Sequence, residues 1–511
     1  MRNILLLAIS LFGFAFSQSG TLIVAREADS NFLDPGFSNI QENQDVLGLI
    51  YEPLVKWVEE DISPWLAESW DVSADGLVYT FNIRQGVSFH DGTPLNAEAV
   101  AISFQRHFEE SPYFYYPDRF SSIKLYSAGT FGFEDVVVLS DFVVQFTLNR
   151  PYADFLPSMT LSMAGIVSPA ALDHFGEDLA QNPVGTGPFV FESWIRDDRI
   201  VLSANVDYWG EGPFLDGVVF KVVPDVSSRL LELIGGSAHV IKDLLPEQVA
   251  VVASRDHLRL IERPSLSYGA MTINVTKEPF GDRRIRQAIN YAIDKDAIVE
   301  SLMGAVARRH YTTMPPTFPC YTDEVETYPY DPGRAKELLA EAGYPDGFDT
   351  ELWTFSFSRA YLPNAVPVAE KIQSDLAAVG IRARLSVFEG ATYWDRVNKL
   401  EGHLLMAGWG ASPAMDTYMR VSVLEESKND FGNATPEGRE LAAMAVQAQV
   451  AVSLDERCAI YEEMQRRIAI ESPTVVLNNS SHVWGTSALL ENVGINQQGL
   501  SDFSLTRFVD R

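Results

Sequence analysis

Tyr268-Gly269-Ala270-Met271-Thr272-Ile273-Asn274-Val275 reads as a buried strand, and Thr474-Val475-Val476-Leu477-Asn478-Asn479-Ser480-Ser481-His482-Val483-Trp484 reads as its counterpart. Both are rich in apolar and β-branched residues, the pattern of strands covered on both faces. The chain between them carries helix and strand patterns of its own. It therefore leaves a first body at the first strand, builds a second body, and returns at the second strand. Two crossovers between two bodies suit a hinge that closes around a ligand.

The segments on either side alternate between strand and helix. Residues 20–25 read as a strand and 43–55 as a helix ending in Tyr51-Glu52-Pro53-Leu54. Residues 67–72 and 78–83 alternate around Asp75-Gly76, a hairpin signal. Residues 96–107 have helical spacing, 136–148 read as a strand, and Gly185-Thr186-Gly187-Pro188-Phe189 turns into another. Residues 218–224 are again strand-like. Residues 284–298, 335–342 and 367–379 read as amphipathic helices, the last stopped by Gly380, and 381–388 as a strand. The mixture makes the fold class α/β. At roughly 100–200 residues per domain, 511 residues hold two or three domains.

The 69 acidic residues outnumber the 39 basic ones, leaving a net charge of −30. Such a surface repels phosphate backbones and anionic lipid, so nucleic-acid binding is not expected. At the start of the chain, Arg2 precedes a largely apolar stretch over 4–16, and Ala15-Phe16-Ser17 carries small residues at the positions a signal peptidase reads. This predicts a secretory signal over 1–17, cleaved before Gln18, and a periplasmic location. No later run reaches the roughly 18 apolar residues of a membrane span. Cys320 and Cys458 are compatible with a bridge or with two free thiols.

Catalytic signatures are missing. There is no H-E-x-x-H, no G-x-S-x-G and no phosphate loop. The eight histidines stand singly, and His90 in Phe89-His90-Asp91-Gly92 reads as a turn residue. Gly185-Thr186-Gly187 leads into a strand, so it lacks the helix N-terminus that holds phosphate. No cofactor, no metal and no enzymatic activity are expected.

Several short motifs, in order, resemble the family 5 extracellular solute-binding proteins of ABC importers. They are Tyr51-Glu52-Pro53-Leu54, Pro64-Trp65-Leu66-Ala67-Glu68-Ser69-Trp70, Phe89-His90-Asp91-Gly92, Gly185-Thr186-Gly187-Pro188-Phe189, Tyr208-Trp209-Gly210, Arg286-Gln287-Ala288-Ile289-Asn290-Tyr291-Ala292-Ile293 and Tyr330-Asp331-Pro332. The resemblance implies a two-lobed periplasmic-binding-protein fold, type II in its large three-domain variant. Lobe I would hold 18–266 and 485–511, with a subdomain over about 50–165. Lobe II would hold 275–474, with hinge strands at 267–274 and 475–484.

Arg359-Ala360-Tyr361-Leu362-Pro363-Asn364-Ala365 is closest to the dipeptide-binding subgroup, where the matching arginine holds the ligand's terminal carboxylate. Arginine suits that task because its planar fork matches a carboxylate. Arg359 and Tyr361 are thus expected to line the cleft. In Gly408-Trp409-Gly410-Ala411-Ser412, Ser412 stands where the family has the acid that holds a peptide's α-ammonium. Asp416 is near but shifted, and a hydroxyl cannot neutralise a buried ammonium. Either Asp416 or another acid substitutes, or the ligand is N-blocked, γ-linked or without the cation. Trp409 would pack on the ligand's apolar part. Asn31, Phe32 and Tyr268 are further candidates by position. The resemblance implies capture of a peptide-like, carboxylate-bearing ligand by a monomer and its delivery to an inner-membrane ABC permease. Nickel-chelate or oligosaccharide binding by the same fold, and an exported peptide hydrolase, are the alternatives.

Overall fold

The computed structural model describes residues 20–509, apart from 38–39, 59–60, 109–110, 114–132, 358, 411, 424–428, 452 and 497. The expected export signal over 1–17 lies outside the described residues.

One sheet of 11 strands frames both halves of the molecule. Its middle strands, Leu258–Ile273 and Thr474–Ser487, are the two stretches on which the sequence reading rests, and both are longer than read. They pair antiparallel from Leu258↔Ser487 to Thr272↔Thr474. Their register breaks between Pro264 and Tyr268 and again between Gly269 and Ala270. Pro264 has no N–H for the ladder. Gly269 is tight against its neighbours: a Cβ there would lie 2.3 Å from the Tyr361 carbonyl oxygen. On one side of this pair the sheet continues through Val240–Ile241, Thr21–Arg26, Gly217–Val222, Arg199–Ala204 and Phe189–Ile195. On the other it continues through Leu404–Trp409, Phe348–Phe355 and Ile381–Phe388. The last two run parallel, joined by the helix Ala365–Ala378, as parallel strands require.

Apolar packing divides the same way. Three cores draw on residues 22–261 and 483–508, one of them with Val306 added, and two draw on 266–477.

Three elements depart from the sequence reading. The strand expected over 136–148 is a hairpin, Phe133–Ser140 against Val143–Leu148, turning at Asp141-Phe142. The helix expected over 43–55 is Gln41–Ile50, because Tyr51 is extended and Pro53 follows. The helix expected over 284–298 stops at Ala292. Asp294 then caps a new turn by accepting the Ala297 N–H at 3.0 Å.

Four of the short motifs converge on one carboxylate. Glu52, 4% exposed, accepts from Trp65 Nε1 (2.8 Å), Tyr208 OH (2.8 Å), Trp209 Nε1 (2.8 Å) and Thr186 Oγ1 (2.7 Å). His90 joins the same region through Gly187 O at 2.9 Å. A buried carboxylate persists only when so satisfied. Cys320 and Cys458, left open by the sequence, are bridged, with Cα atoms 4.5 Å apart.

Two buried histidines make stability fall in acid. Burial, helped by the Arg106 charge, holds the His107 imidazole down at about 3. Burial holds His310 at about 4, against its bond to the Met314 carbonyl. Unfolded histidine titrates near 6.5. Below that pH the unfolded chain takes up protons that the folded chain refuses. Stability should therefore drop as pH falls from about 6.5 towards 4, by up to about 1.4 kcal/mol per pH unit for each histidine. Melts across this range check the slope, and His310→Gln should flatten it. A slope that the substitution leaves unchanged contradicts the assignment.

Candidate functional site

The expected cleft residues sit on and around the strand Leu404–Trp409, beside the central pair. Trp409 pairs with Tyr268 across the ladder and is half-buried. The Tyr361 ring lies against Gly408, where an added Cβ would be 2.4 Å from Cδ2. Asn478 Nδ2 donates to the Tyr361 carbonyl at 3.0 Å and fixes that loop. Burial pushes the Tyr361 hydroxyl up to about 12, against the charge and hydrogen bond of Arg359. Arg359 is exposed. Its guanidinium lies 4.6 Å from the Phe357 ring centre, and it has no carboxylate partner among the described residues. Arg359, Tyr361, Gly408 and Trp409 are thus brought together.

Other candidates are placed differently. Tyr268 is 6% exposed within an apolar core, and its raised hydroxyl pKa follows from burial, eased by a bond to Ser422. It packs 6.4 Å from the Tyr418 ring. The Ser412 hydroxyl donates to Thr417 Oγ1 at 3.2 Å and accepts the Ala414 N–H at 3.2 Å, in the loop just before the helix Met415–Val423. Asn31 is bound to Asn43 in both directions, N–H to Oδ1 at 2.9 Å and Oδ1 from Nδ2 at 2.9 Å. Phe32 follows it, half-buried. No hydrogen bond or ring contact joins Asn31 to Arg359, Tyr361, Trp409 or Ser412 among the described residues.

Asp416 turns away from the position Ser412 holds. It is 2% exposed, and its carboxylate accepts from Gln449 Nε2 at 2.9 Å and lies 3.9 Å from Arg420. Its backbone N–H donates to Asp154 Oδ2 at 2.8 Å. Asp154 also pairs with Arg457 at 2.7 Å, with side chains 1% and 10% exposed. Beside them the Ala153 N–H bonds the Gln449 carbonyl at 3.0 Å. Asp154 is flanked by Tyr152 and Phe155 of a core built from residues 54–166. Arg457 lies on the helix Leu454–Glu471, which packs into a core built from 266–476. The cluster therefore clasps two separate bodies. Burial raises the Asp154 pKa, opposed by Arg457 and the Asp416 N–H. Sequence reading missed this clasp, because Asp154, Gln449 and Arg457 stand in no motif.

A cavity of about 110 Å³ opens where the bodies meet. Leu266 of the central strand and Pro413, next to Ser412, form one wall, while Tyr51, Lys56, Trp65, Tyr208 and Asp502 lie among the residues opposite.

No group of three or more His, Cys, Asp or Glu that could hold a metal occurs among the described residues. No helix among them is long and apolar enough to cross a membrane.

Residues 61–430 match the family of bacterial extracellular solute-binding proteins, family 5. The chain belongs to that family. A dipeptide-binding protein of Escherichia coli K12 is 34% identical over 77% of this chain and 76% of its own. A glutathione-binding protein of Salmonella typhi is 31% identical over 92% of this chain and 91% of its own. Among solved structures, a periplasmic binding protein of Helicobacter pylori in complex with the peptide STSA superposes with a TM-score of 0.81 at 30% identity, over 96% of this chain and 98% of that one. The two-lobed α/β architecture of family 5 is therefore the architecture here. The chain is a substrate-binding protein of the ABC-importer type, and its relatives bind and transport solutes and are not enzymes.

Proposed function

We propose that this protein captures a peptide-like, carboxylate-bearing small ligand between its lobes and hands it to an inner-membrane permease. The observation that carries this is Arg359. It is an exposed guanidinium over the Phe357 ring that interacts with the Tyr361 hydroxyl, without an acid to neutralise it among the described residues. A ligand carboxylate would complete that fork. Trp409 would pack on the ligand's apolar part, and strand edges would read its backbone. Lobe I would comprise 18–266 and 485–511 and lobe II 275–474, turning about the register breaks near Pro264 and Gly269. Ligand contacts to both lobes favour the closed form. The buried position of Asp416 leaves no acid of this loop free for an α-ammonium. A ligand whose nitrogen is acylated suits the site better than a free-amino dipeptide.

A thermal-shift panel of residues 18–511 tests the ligand class. It should hold free-amino dipeptides, N-acetylated and γ-linked peptides, chelated nickel and short oligosaccharides. At 100 times its Kd a ligand adds about 2.7 kcal/mol, a shift of a few degrees. Peptide acids should produce that shift. A shift with sugars or chelated nickel alone would overturn the peptide reading.

A further inference from the structure

Ser265, Leu266 and Ser267 stand between the ladder pairs Pro264↔Ser481 and Tyr268↔Asn479, where the register of the central strands breaks. All three are buried, so their carbonyls need partners that the ladder does not supply. Two side chains provide them. Asn479 Nδ2, on the return strand, donates to Ser265 O at 3.0 Å and to Ser267 O at 2.6 Å. The Tyr418 hydroxyl, on the helix Met415–Val423, donates to Leu266 O. Tyr418 is 0% exposed, and its ring packs 5.2 Å from Phe318 and 6.4 Å from Tyr268. The same hydroxyl reaches the loop before its helix. It accepts the Ser412 N–H at 2.9 Å and lies 3.0 Å from Ser412 O. A hydroxyl has one proton, so bonds to Leu266 O and to Ser412 O are alternatives, and strengthening one weakens the other. Neighbours in the same turn extend the link. Thr417 Oγ1 accepts from the Ser412 hydroxyl, and the Asp416 N–H donates to Asp154 Oδ2 in the core built from residues 54–166. One helical turn therefore touches the register break, the Ser412 loop and the opposite body.

We propose that Tyr418 is a positioning residue that couples the Ser412 loop to the hinge. A ligand amide N–H that bonds the Ser412 carbonyl competes for that acceptor. The Tyr418 proton then goes to Leu266 O and stiffens the register break in the arrangement seen here. Capture at the loop is thereby felt where the two bodies turn. The inference rests on the peptide-like reading of the cleft, in which Ser412 borders the ligand.

Amide hydrogen exchange of residues 18–511, without ligand, tests the coupling by disturbing one end and reading the other. Ser412→Ala removes the hydroxyl bonds to Thr417 and Ala414 and none that Tyr418 makes with the backbone. In the wild-type background it should speed exchange over 265–268 about fivefold, the scale of one hydrogen bond. Tyr418→Phe keeps the ring and removes only the hydroxyl. In that background the same Ser412→Ala change should leave exchange over 265–268 unaltered. A purely structural Tyr418 would let Ser412→Ala act alike in both backgrounds, and that result would overturn the coupling. So would an unmoved hinge in Ser412→Ala alone, a comparison that holds even if Tyr418→Phe folds poorly. A second arm adds N-acetyl-Ala-Gly. Tyr418→Phe should bind it about tenfold more weakly, and binding should still protect the amides of Ser412 and Ala414 but no longer those of 265–268. Failure of this peptide to bind the wild-type protein would count against the cleft reading, while the ligand-free comparison still decides the coupling.

Discussion

Arg359→Ala is expected to abolish binding of peptide acids while leaving the melting of the free protein almost unchanged. Removing one member of a desolvated, hydrogen-bonded charge pair costs about 2–5 kcal/mol, which is roughly thirtyfold or more in Kd. Part of that cost falls on the ligand carboxylate, left without its cation in a closing cleft. The free protein loses little, because Arg359 is exposed and its contacts are one ring and one hydroxyl. Surface changes of this kind stay within about 0.5 kcal/mol. Arg359→Lys should recover only part of the affinity, since an ammonium keeps the charge and loses the fork. An unaltered Kd in Arg359→Ala would remove the arginine from the site.

Arg457→Met should weaken binding of the same ligand by about a hundredfold, although none of the contacts found at Arg457 is with a residue proposed for the cleft. In the closed arrangement the substitution strands Asp154, 1% exposed, without its cation. An uncompensated buried charge costs about 3–5 kcal/mol. Opening the lobes relieves it, because Asp154 then meets water. The closed population falls, and the apparent Kd rises in proportion. Small-angle scattering of the free protein should show a larger radius of gyration than in wild type. Asp154→Asn is the control: it removes the charge, can still accept the Arg457 hydrogen bond, and should weaken binding less. Unchanged affinity and unchanged scattering in Arg457→Met would show that the clasp does not bias closure.

The frame was legible because its strands carry β-branched and apolar residues in strand-length runs and its turns carry glycine, proline and aspartate. The central strands at 268–275 and 474–484 were found from composition, with their outer halves missed and Asn274-Val275 read as strand beyond the end at Ile273. Their outer halves, such as Leu258–Glu262, are more polar and look like loop when read alone. The family motifs were legible as motifs, but their purpose was not. Tyr51-Glu52, Trp65, Thr186 and Tyr208-Trp209 are spread over up to 157 positions, and only the fold shows that they meet at the Glu52 carboxylate. Arg359 and Trp409 were singled out through resemblance, and the two are linked in the fold only through Tyr361, whose hydroxyl interacts with Arg359 and whose ring lies against Gly408. Asp416 stood as one open alternative because it is close in sequence. Three residues separate it from Ser412, but it lies in the first turn of a helix, which rotates its carboxylate towards Gln449. Asp154 and Arg457, 303 positions apart, carry no local pattern that announces their pairing.

The most direct test of carboxylate capture is calorimetric titration of one peptide as its C-terminal acid and as its C-terminal amide, against wild type and Arg359→Ala. Wild type should bind the acid at least thirtyfold more tightly than the amide, roughly the 2 kcal/mol of a single charged contact. Arg359→Ala should bind the two alike. Equal affinities of acid and amide for the wild-type protein would contradict the account at its centre.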